Sequence, residues 1–457
     1  MANSQNKSPG SVRGAQQNLN AEDLASQLIQ LAEQYKINTW CLAYSGGVDS
    51  QVLLHLLHLS KLKCMAVYID HGLQPESIEW ARHCEYQCQQ FKIPFKSVSV
   101  DAQAAKGESP EAAARNARYN AFRNLIKPGM CLLTAQHQND QAETVLLQLL
   151  RGGSAAGCAA MPRMTEFASA WHCRPLLGIS QSAILDYAES HRLSWVEDPS
   201  NQQQNYDRNF LRHSVLPVIQ KRWPALTKTL SVFSEQQAEN AQLLDQLAEQ
   251  DLSTVLISRD QLDIPLLRKF DDARLRNVLR YWVRQNQKPV PSRAVLQQIV
   301  GQIQGASHDT HARVSWAANE IRRFRDRVYL LEQLNHDASQ VIQWAASEHL
   351  YIPSINTTLS LQIINPTESS AYLLDRNILT KRLYVRFRQG GERIKPAGRD
   401  SRHDLKSLFQ EAAVPAWERD RIPLLYADDE LLAVMGYWIA DEFAVKSTGV
   451  LPVVSPG

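Results

Sequence analysis

The sequence predicts an α/β protein: a parallel, Rossmann-like sheet domain, followed by a mainly helical domain and a small α+β C-terminal domain. Three observations support this prediction. Short apolar runs alternate with amphipathic stretches over the first two hundred residues, a pattern typical of a parallel sheet wrapped by helices. The next part, to about Leu334, has mainly helical periodicity. The remainder is rich in turn residues and short apolar runs, which predicts a small mixed domain.

The length and composition predict a chain of several domains. A chain of 457 residues exceeds one ordinary core, and we expect three domains, at residues 21–217, 218–336 and 337–457. Residues 1–20 are polar and predict a disordered extension without the apolar core of a secretion signal. The polar run 202–205 predicts a hinge. No apolar run is long enough to span a membrane, and the seven scattered cysteines indicate a reducing, cytoplasmic compartment.

Four apolar runs are the predicted strands of the parallel sheet. They cover residues 39–44, 63–69, 96–100 and 130–135. Polar residues follow three of them, and they are Ser45, then Asp70 and His71, and then Gln136 and His137. Because ligands of such sheets bind beyond the carboxyl ends of the strands, we expect these residues to converge on one crevice.

A glycine loop follows the first predicted strand. Its residues are Ser45-Gly46-Gly47-Val48-Asp49-Ser50. The glycines let the backbone approach an anion closely, and the following helix directs its unpaired N–H groups to the same place. The loop lacks the lysine of a Walker motif. Asp49 would repel phosphate oxygens unless a hard cation such as Mg²⁺ lay between them, so the loop predicts a metal-bound nucleotide. The alternative is a plain glycine turn.

A second group of polar residues, His137, Asp140 and Glu143, opens a predicted helix after the fourth strand. In one interpretation the acids cap the helix and complement its dipole. In the other, they hold the metal or an ammonium group, or accept a proton from an attacking amine. Arg151, before Gly152 and Gly153, is a further candidate phosphate contact.

Two helical faces are candidate nucleic-acid contacts. Arg115, Arg118 and Tyr119 share one face, which suits phosphate and base, although an ordinary amphipathic surface would have the same spacing. Arg276, Arg280 and Arg284 recur every four residues, which fits either RNA contact or a solvated face. The segment 376–406 carries ten Lys or Arg against three acids, and it is predicted to contact a polyanion.

These motifs together resemble the tRNA(Ile)-lysidine synthetases, members of the N-type ATP pyrophosphatase, or PP-loop, superfamily. The resemblance extends from about residue 38 to near the end of the chain. The matching stretches are the glycine loop, Asp70–Leu73, Ala114–Tyr119, His137–Gly153, Arg174–Leu177, Glu197–Asn201 with Arg208 and Arg212, Arg386–Arg393 and Pro415–Asp420. One departure is Asn139, where the family often has an acid.

The resemblance implies an ATP-dependent ligase. It would join L-lysine to the wobble cytidine of the CAU anticodon of an isoleucine tRNA, through an adenylated cytidine, so that the tRNA reads AUA instead of AUG and is charged with isoleucine instead of methionine. The glycine loop would hold the pyrophosphate of ATP and Asp49 would hold Mg²⁺. Arg115, Asp140 and Glu143 would position nucleotide and lysine. The expected substrate and tRNA contacts are His137, Arg118, Tyr119, Arg151, Arg208, Arg212, Arg276, Arg280 and Arg284.

Three other functions are weighed against this one. A PP-loop tRNA thiolase is the nearest alternative, but it would use paired cysteines or an iron–sulfur cluster, and Cys84 and Cys88 have the spacing of helix core residues. A glutamine-dependent amidotransferase would need an ammonia-generating domain. The third alternative is an RNA-binding protein whose glycine loop has lost its catalytic function, and the intact residues of the loop argue against it. The sequence leaves open whether the protein is a homodimer.

Overall fold

The computed structural model describes residues 19–72, 76–103, 110–199, 205–305, 313–333, 336–365 and 372–456. Residues 1–18 of the predicted extension, Leu73 of the second matching stretch, and residues 200–204, which include most of the predicted hinge, lie outside the described residues. The described residues form two compact units that divide between Leu244 and Asp245. The three domains with boundaries after residues 217 and 336 stay a prediction.

The first unit contains a six-stranded sheet. Its strands are β1 (Thr39–Ala43), β2 (Cys64–Asp70), β3 (Phe95–Ser99), β4 (Met130–Leu133), β5 (Met164–Phe167) and β6 (Ala170–Cys173). The four predicted strands are all present, whereas the hairpin β5–β6 was not predicted. Its strands have four residues each, too few to show a clear alternation.

The strand order is β3-β2-β1-β4-β6-β5, and every neighbouring pair is parallel except β5 with β6. The chain leaves β1 toward β2 on one side and returns to β4 on the other. The order therefore reverses between β1 and β4, which makes a topological switch point, the usual place for a ligand crevice in such sheets.

Helices cover both faces of this sheet. They are α1 (Ala21–Tyr35), α2 (Val48–Ser60), α3 (Ser77–Gln90), α4 (Pro110–Leu125), α5 (Gln138–Leu150), α6 (Ala155–Cys158), α7 (Gln181–Ser190), α8 (Asp207–Phe210), α9 (Leu216–Arg222) and the start of α10 (Leu226–Val255). A π-helical turn, Leu211–Val215, joins α8 to α9. The apolar face of α2 is buried in the core, with Val52, Leu53, Leu56 and Leu57 all shielded from solvent. This burial fixes α2, and with it the glycine loop, against β1.

The second unit begins with a mixed region. Its elements are β7 (Leu256–Ser258), β8 (Gln261–Asp263), α11 (Ile264–Leu267), α12 (Asp272–Gln285), α13 (Arg293–Gln304), β9 (Arg313–Trp316), β10 (Asn319–Phe324) and β11 (Arg327–Glu332). The strands form an antiparallel sheet in the order β7-β8-β11-β10-β9, which the sequence analysis did not predict. Its two hairpin turns place Ala317 and Arg325 at positive φ, where glycine or asparagine is the usual signal.

The rest of the second unit is the predicted small α+β region. Its strands are β12 (Ile342–Trp344), β13 (Leu350–Ile352), β14 (Thr357–Ile364), β15 (Leu373–Leu374), β16 (Leu383–Arg386), β17 (Arg393–Ile394), β18 (His403–Asp404), β19 (Leu424–Ala427), β20 (Glu430–Val434), β21 (Trp438–Ile439), β22 (Ala444–Val445) and β23 (Gly449–Pro456). The helices are α14 (Leu405–Glu411) and α15 (Ala416–Arg419). The strands form two five-stranded sheets, β12-β16-β19-β20-β21 and β13-β14-β23-β15-β22, and the pair β17-β18.

No helix in the described ranges combines the length and the apolar character needed to cross a bilayer.

Candidate active site

The glycine loop connects β1 to α2 at the switch point of the sheet. Gly46 has φ +81°, and a Cβ there would lie 2.9 Å from the Sγ of Cys84, so both the backbone conformation and the space require glycine. Gly47 is the N-cap residue of α2, and no side-chain hydrogen bond caps this end of the helix. The first N–H groups of α2 therefore face the loop, as an anion site requires.

Hydrogen bonds hold the loop in this shape. The hydroxyl of Ser50 donates to the carbonyl of Gly47 (3.0 Å) and accepts from the N–H of Ser45 (3.3 Å). The N–H of Val196 donates to the carbonyl of Gly46 (2.9 Å). The segment after α7 thus supports the loop from outside, a role that the sequence analysis missed because Val196 carries no polar side chain.

Asp49 and His137 come together across the switch point. Nε2 of His137 lies 3.7 Å from Oδ1 of Asp49 and 3.5 Å from Oδ2 of Asp140. Nδ1 of His137 accepts a hydrogen bond from the N–H of Asn139, so the ring proton of a neutral His137 is on Nε2 and faces the two carboxylates. Three of the predicted site residues are therefore in one place.

Asp49 is one group in this crevice whose hydrogen bonding is incomplete. Its Oδ1 is buried and has no hydrogen-bond partner among the described residues. Burial raises the pKa of Asp49, and the neighbouring Asp140 also raises it, although His137 and Arg212 oppose this. Removal from water disfavours a carboxylate unless a cation compensates. No group of three or more His, Cys, Asp or Glu able to hold a metal is found in the described ranges.

The structural interpretation of the second polar group is correct in part. His137 and Asp140 form a capping box, in which the Asp140 carboxylate accepts from the N–H of His137 (3.1 Å). The sequence analysis had placed Glu143 in that box. The same bond fixes the direction of Asp140, so capping and a place in the crevice are compatible.

Glu143 is fully buried beneath the crevice and is paired by two arginines. Arg212 donates to it from Nε (2.6 Å) and from Nη2 (2.9 Å), and Nη2 of Arg212 also reaches Oδ1 of Asp140 (2.8 Å). Nε of Arg208 lies 3.1 Å from Oε2 of Glu143, and its Nη2 donates to Thr144. Burial alone would lower the pKa of Arg212, but its bonds to Glu143 outweigh this and raise it. Both arginines are thus bound to the protein's own acids.

Arg115 and Tyr119 form the predicted platform on α4. The guanidinium of Arg115 is exposed and lies 4.9 Å from the centre of the Tyr119 ring. Burial lowers the pKa of His71 to about 4, and the positive charge of the neighbouring Arg118 contributes to this shift. The platform keeps a cation and an aromatic face at the surface of the first unit.

The other predicted contacts are Arg151 in the first unit and three arginines of α12 in the second. Arg151 pairs with Asp207 at 3.4 Å, with both side chains exposed. On α12, Arg276 lies 3.7 Å from Asp272 and Arg284 lies 2.6 Å from Asp245. Arg280 is between them, and burial and then its two arginine neighbours lower its pKa. Leu275, Leu279 and Trp282 of the same helix are buried.

The sequence matches known proteins along most of its length. Family models match three segments: a PP-loop domain over residues 20–219, a TilS substrate binding domain over 262–329 and a TilS substrate C-terminal domain over 383–452. The tRNA(Ile)-lysidine synthase of Coxiella burnetii is 41% identical over 415 residues, which cover 90% of this chain and 91% of the relative. That of Methylococcus capsulatus is 37% identical, covering 89% of this chain and 93% of the relative.

The chain belongs to the tRNA(Ile)-lysidine synthase family. This confirms the predicted family, the predicted fold class and the predicted type of enzyme, an ATP-dependent ligase that modifies tRNA. Among solved structures, the U34-tRNA thiolase NcsA of Methanococcus maripaludis has a TM-score of 0.39 and 16% identity, covering 48% of this chain and 79% of that one. The roles assigned to single residues stay predictions.

Proposed function

We propose that the protein joins L-lysine to the wobble cytidine of an isoleucine tRNA with a CAU anticodon, using ATP to adenylate the cytidine first. The observation that supports this most directly is the position of Asp49, whose buried, unbonded oxygen lies beside an anion-binding glycine loop at the switch point of the sheet. Such a pair suits the metal-bound phosphates of a nucleotide.

The glycine loop holds the two phosphates that leave as pyrophosphate. Gly46, Gly47, Val48 and Ser50 would provide backbone N–H groups and Ser45 its hydroxyl, whereas the Ser50 hydroxyl and the Ser45 N–H hold the loop in shape. Asp49 would be the protein's ligand for Mg²⁺. The ion would supply positive charge that balances the phosphates and keeps Asp49 ionised despite its burial. The hard oxygen ligands that such an ion prefers would come from Asp49 and from the phosphates of the bound nucleotide.

Asp140 and His137 receive the amine of lysine. That amine must lose a proton before it attacks the adenylated carbon, and a carboxylate can accept this proton. Asp140 is half-buried and fixed by the capping bond and by Arg212, so one of its lone pairs remains for the amine. His137 keeps its Nε2 proton between Asp49 and Asp140 and thereby reduces their mutual repulsion.

Glu143, Arg208 and Arg212 position this site. Every oxygen of Glu143 faces an arginine of the same chain, and its side chain has no exposed surface, so we assign it no direct contact with lysine. Arg212 joins Glu143 to Asp140, and the π-helical turn that carries it is a feature often found at functional sites. This replaces the substrate contacts expected of Glu143, Arg208 and Arg212.

The tRNA is held by basic surfaces. Arg115, Arg118, Tyr119 and Arg151 in the first unit, and Arg276, Arg280, Arg284 and the segment 376–406 in the second, are the proposed contacts with phosphate and base. Phosphate contacts supply affinity, whereas RNA shape separates this tRNA from others with the same anticodon letters. We place the enzyme in the cytoplasm and leave a homodimer to be tested.

The thiolase alternative finds no support in the cysteines. Burial raises the pKa of both Cys84 and Cys88 to about 12, and both are fully buried. Such thiols are inert as nucleophiles.

The test is a ligation assay with purified protein, ATP, Mg²⁺, labelled L-lysine and tRNA transcripts. We expect label at the wobble nucleoside of isoleucine tRNA with CAU and none on methionine tRNA. Asp49→Ala should abolish pyrophosphate release while tRNA binding persists, and Asp186→Ala, which removes an exposed acid of α7, is the matched control. Pyrophosphate release at the wild-type rate by Asp49→Ala would exclude the metal role, and thiolated product would favour the alternative.

A further inference from the structure

A chain of buried polar side chains lies behind the platform of Arg115 and Tyr119, at the carboxyl ends of β4 and β6. Thr134 follows β4 and Arg174 follows β6, and these strands are parallel neighbours. Thr134, His172 and Arg174 are each more than nine-tenths buried. The mechanism above does not use them, and polar groups removed from water at this depth need a full set of partners.

The donor and the acceptor of each hydrogen bond in this series of side chains can be identified. Arg174 can only donate, so its Nη2, at 3.2 Å, makes Nδ1 of His172 an acceptor. Burial, followed by the charges of Arg174 and Arg115, lowers the pKa of His172 to about 3, so the ring is neutral and its proton is on Nε2. That proton is donated to the hydroxyl oxygen of Thr134 at 2.7 Å.

This order of donors and acceptors then fixes the orientation of the side-chain amide of Gln136. Because the Thr134 oxygen receives the His172 proton, its own proton is donated onward, to Oε1 of Gln136. A donor selects the carbonyl oxygen of an amide rather than its nitrogen. Gln136 is partly exposed and directly precedes His137 in the sequence, so its NH₂ group is available to donate to a ligand.

We infer that Gln136 binds an anionic oxygen of a substrate, a carboxylate or phosphate oxygen, through its NH₂ group, and that Arg174, His172 and Thr134 are positioning residues that hold this amide in its donating orientation. Burial lowers the pKa of both His172 and Arg174, and the charge of Arg115 lowers both further, so Arg115 brings another cation near these positioning residues. Two sources of such an oxygen exist under the proposed function, on which this inference rests: the carboxylate of lysine and a phosphate of ATP.

The decisive variant is Gln136→Glu, which has nearly the same shape but presents acceptors in place of the donor. Steady-state kinetics would be measured for L-lysine, for cadaverine, which is lysine without its carboxylate, and for ATP in pyrophosphate release without lysine. Loss of a hydrogen bond to a charged group should raise the relevant KM about tenfold or more. A higher KM for lysine with an unchanged KM for cadaverine identifies the carboxylate, and a higher KM for ATP identifies the phosphate.

The positioning residues are tested with Thr134→Val and Thr134→Ser. Valine has the shape of threonine but cannot donate a hydrogen bond to Gln136, so Thr134→Val should raise the same KM as Gln136→Glu. Serine keeps the hydroxyl, so Thr134→Ser should keep this KM near the wild-type value. A purely structural role for Thr134 would lower the melting temperature without this shift in KM. If Thr134→Val does not fold, Gln136→Glu at its partly exposed position still decides.

Unchanged KM values for lysine and ATP in Gln136→Glu would overturn the inference. This result is distinct from failure of the proposed function, which would appear as a wild-type enzyme that forms no lysidine.

Discussion

Two sets of arginines were predicted to contact tRNA, and the structure gives them different surroundings. Arg208 and Arg212, in the first unit, face Glu143, which has 0% exposed surface. Arg276 and Arg284, on α12 of the second unit, face Asp272 and Asp245, which are 46% and 43% exposed. The sequence shows arginines near acids in both cases, but the burial of the acid differs completely.

Burial of the acid decides what the arginine is free to do. An exposed ion pair contributes only about 0–1 kcal/mol to stability, so a phosphate can displace the aspartate at little cost. A buried carboxylate that loses its partner is left as an uncompensated charge, which is costly. We therefore expect Arg212 to stay on Glu143 during the reaction and the α12 arginines to exchange their aspartates for phosphate.

The largest expected effect is on the stability of Arg212→Ala. Removing one partner of a buried pair typically costs about 3–5 kcal/mol of unfolding free energy, whereas the exposed pair of Arg284 should cost about 1 kcal/mol or less. Urea denaturation of Arg212→Ala beside the matched Arg284→Ala measures both. Equal losses in the two variants would contradict the comparison.

A second variant separates the contribution of these charges from the contribution of side-chain packing. Glu143→Leu combined with Arg208→Met and Arg212→Met replaces Glu143 and both of its arginines by apolar groups. This variant should recover much of the stability that Arg212→Ala loses. Ligation should stay impaired because Asp140 has lost its partner. Recovery of both stability and ligation would remove the positioning role.

An intermediate effect is expected on tRNA binding when Arg276, Arg280 and Arg284 are all changed to glutamine. Each phosphate contact contributes about one unit to the slope of log K against log salt, so the slope should fall by up to about three. Filter binding from low to moderate salt measures it. Stability should change little, since the lost pairs are exposed.

The control for this set is Arg212→Gln, compared at the same salt concentrations under conditions where it is folded. Its slope should match that of the wild type, because a guanidinium held by Glu143 releases no counterion on binding. An unchanged slope in the triple variant would return α12 to the solvated-face interpretation, and a reduced slope in Arg212→Gln would show that Arg212 contacts tRNA.

The smallest effect concerns Asp49, the acid that lies near Arg212 and still lacks a hydrogen bond on one oxygen. Because burial raises its pKa in the folded state above the unfolded value, the folded state binds this proton more readily, and the contribution of Asp49 to stability becomes less favourable as pH rises through that pKa. Asp49→Asn should therefore equal or exceed the wild type in unfolding free energy at neutral pH while failing to release pyrophosphate.

The pH profile provides the check on this sign. The acid limb of kcat/KM for ATP should lie above the range of an ordinary aspartate, since this parameter reports the free enzyme. Asp49→Asn should be less sensitive to pH in stability. A variant clearly less stable than the wild type at neutral pH would indicate that Asp49 has a partner in the protein.

Local patterns were sufficient for much of the fold. The four parallel strands follow from short apolar runs, and the α2 core follows from leucines at helical spacing, because burial of an apolar face depends on residue type and period alone. The hairpin β5–β6 and the sheet β7–β11 were missed. Five of these seven strands have only three or four residues. Ala317 and Arg325 also occupy turn positions that the fold imposes against local preference.

By itself, the sequence determined the glycine loop, the parallel sheet and the family, because each depends on residues close together in the chain. Tertiary structure alone decided which charges are free. Glu143 and Arg212 are 69 residues apart, and only the packing of the π-helical turn against α5 joins them, removes Glu143 from solvent and leaves Asp49 with an unbonded oxygen. Charge is a property of the residue, but its availability depends on what the fold brings beside it and on how much water the fold excludes.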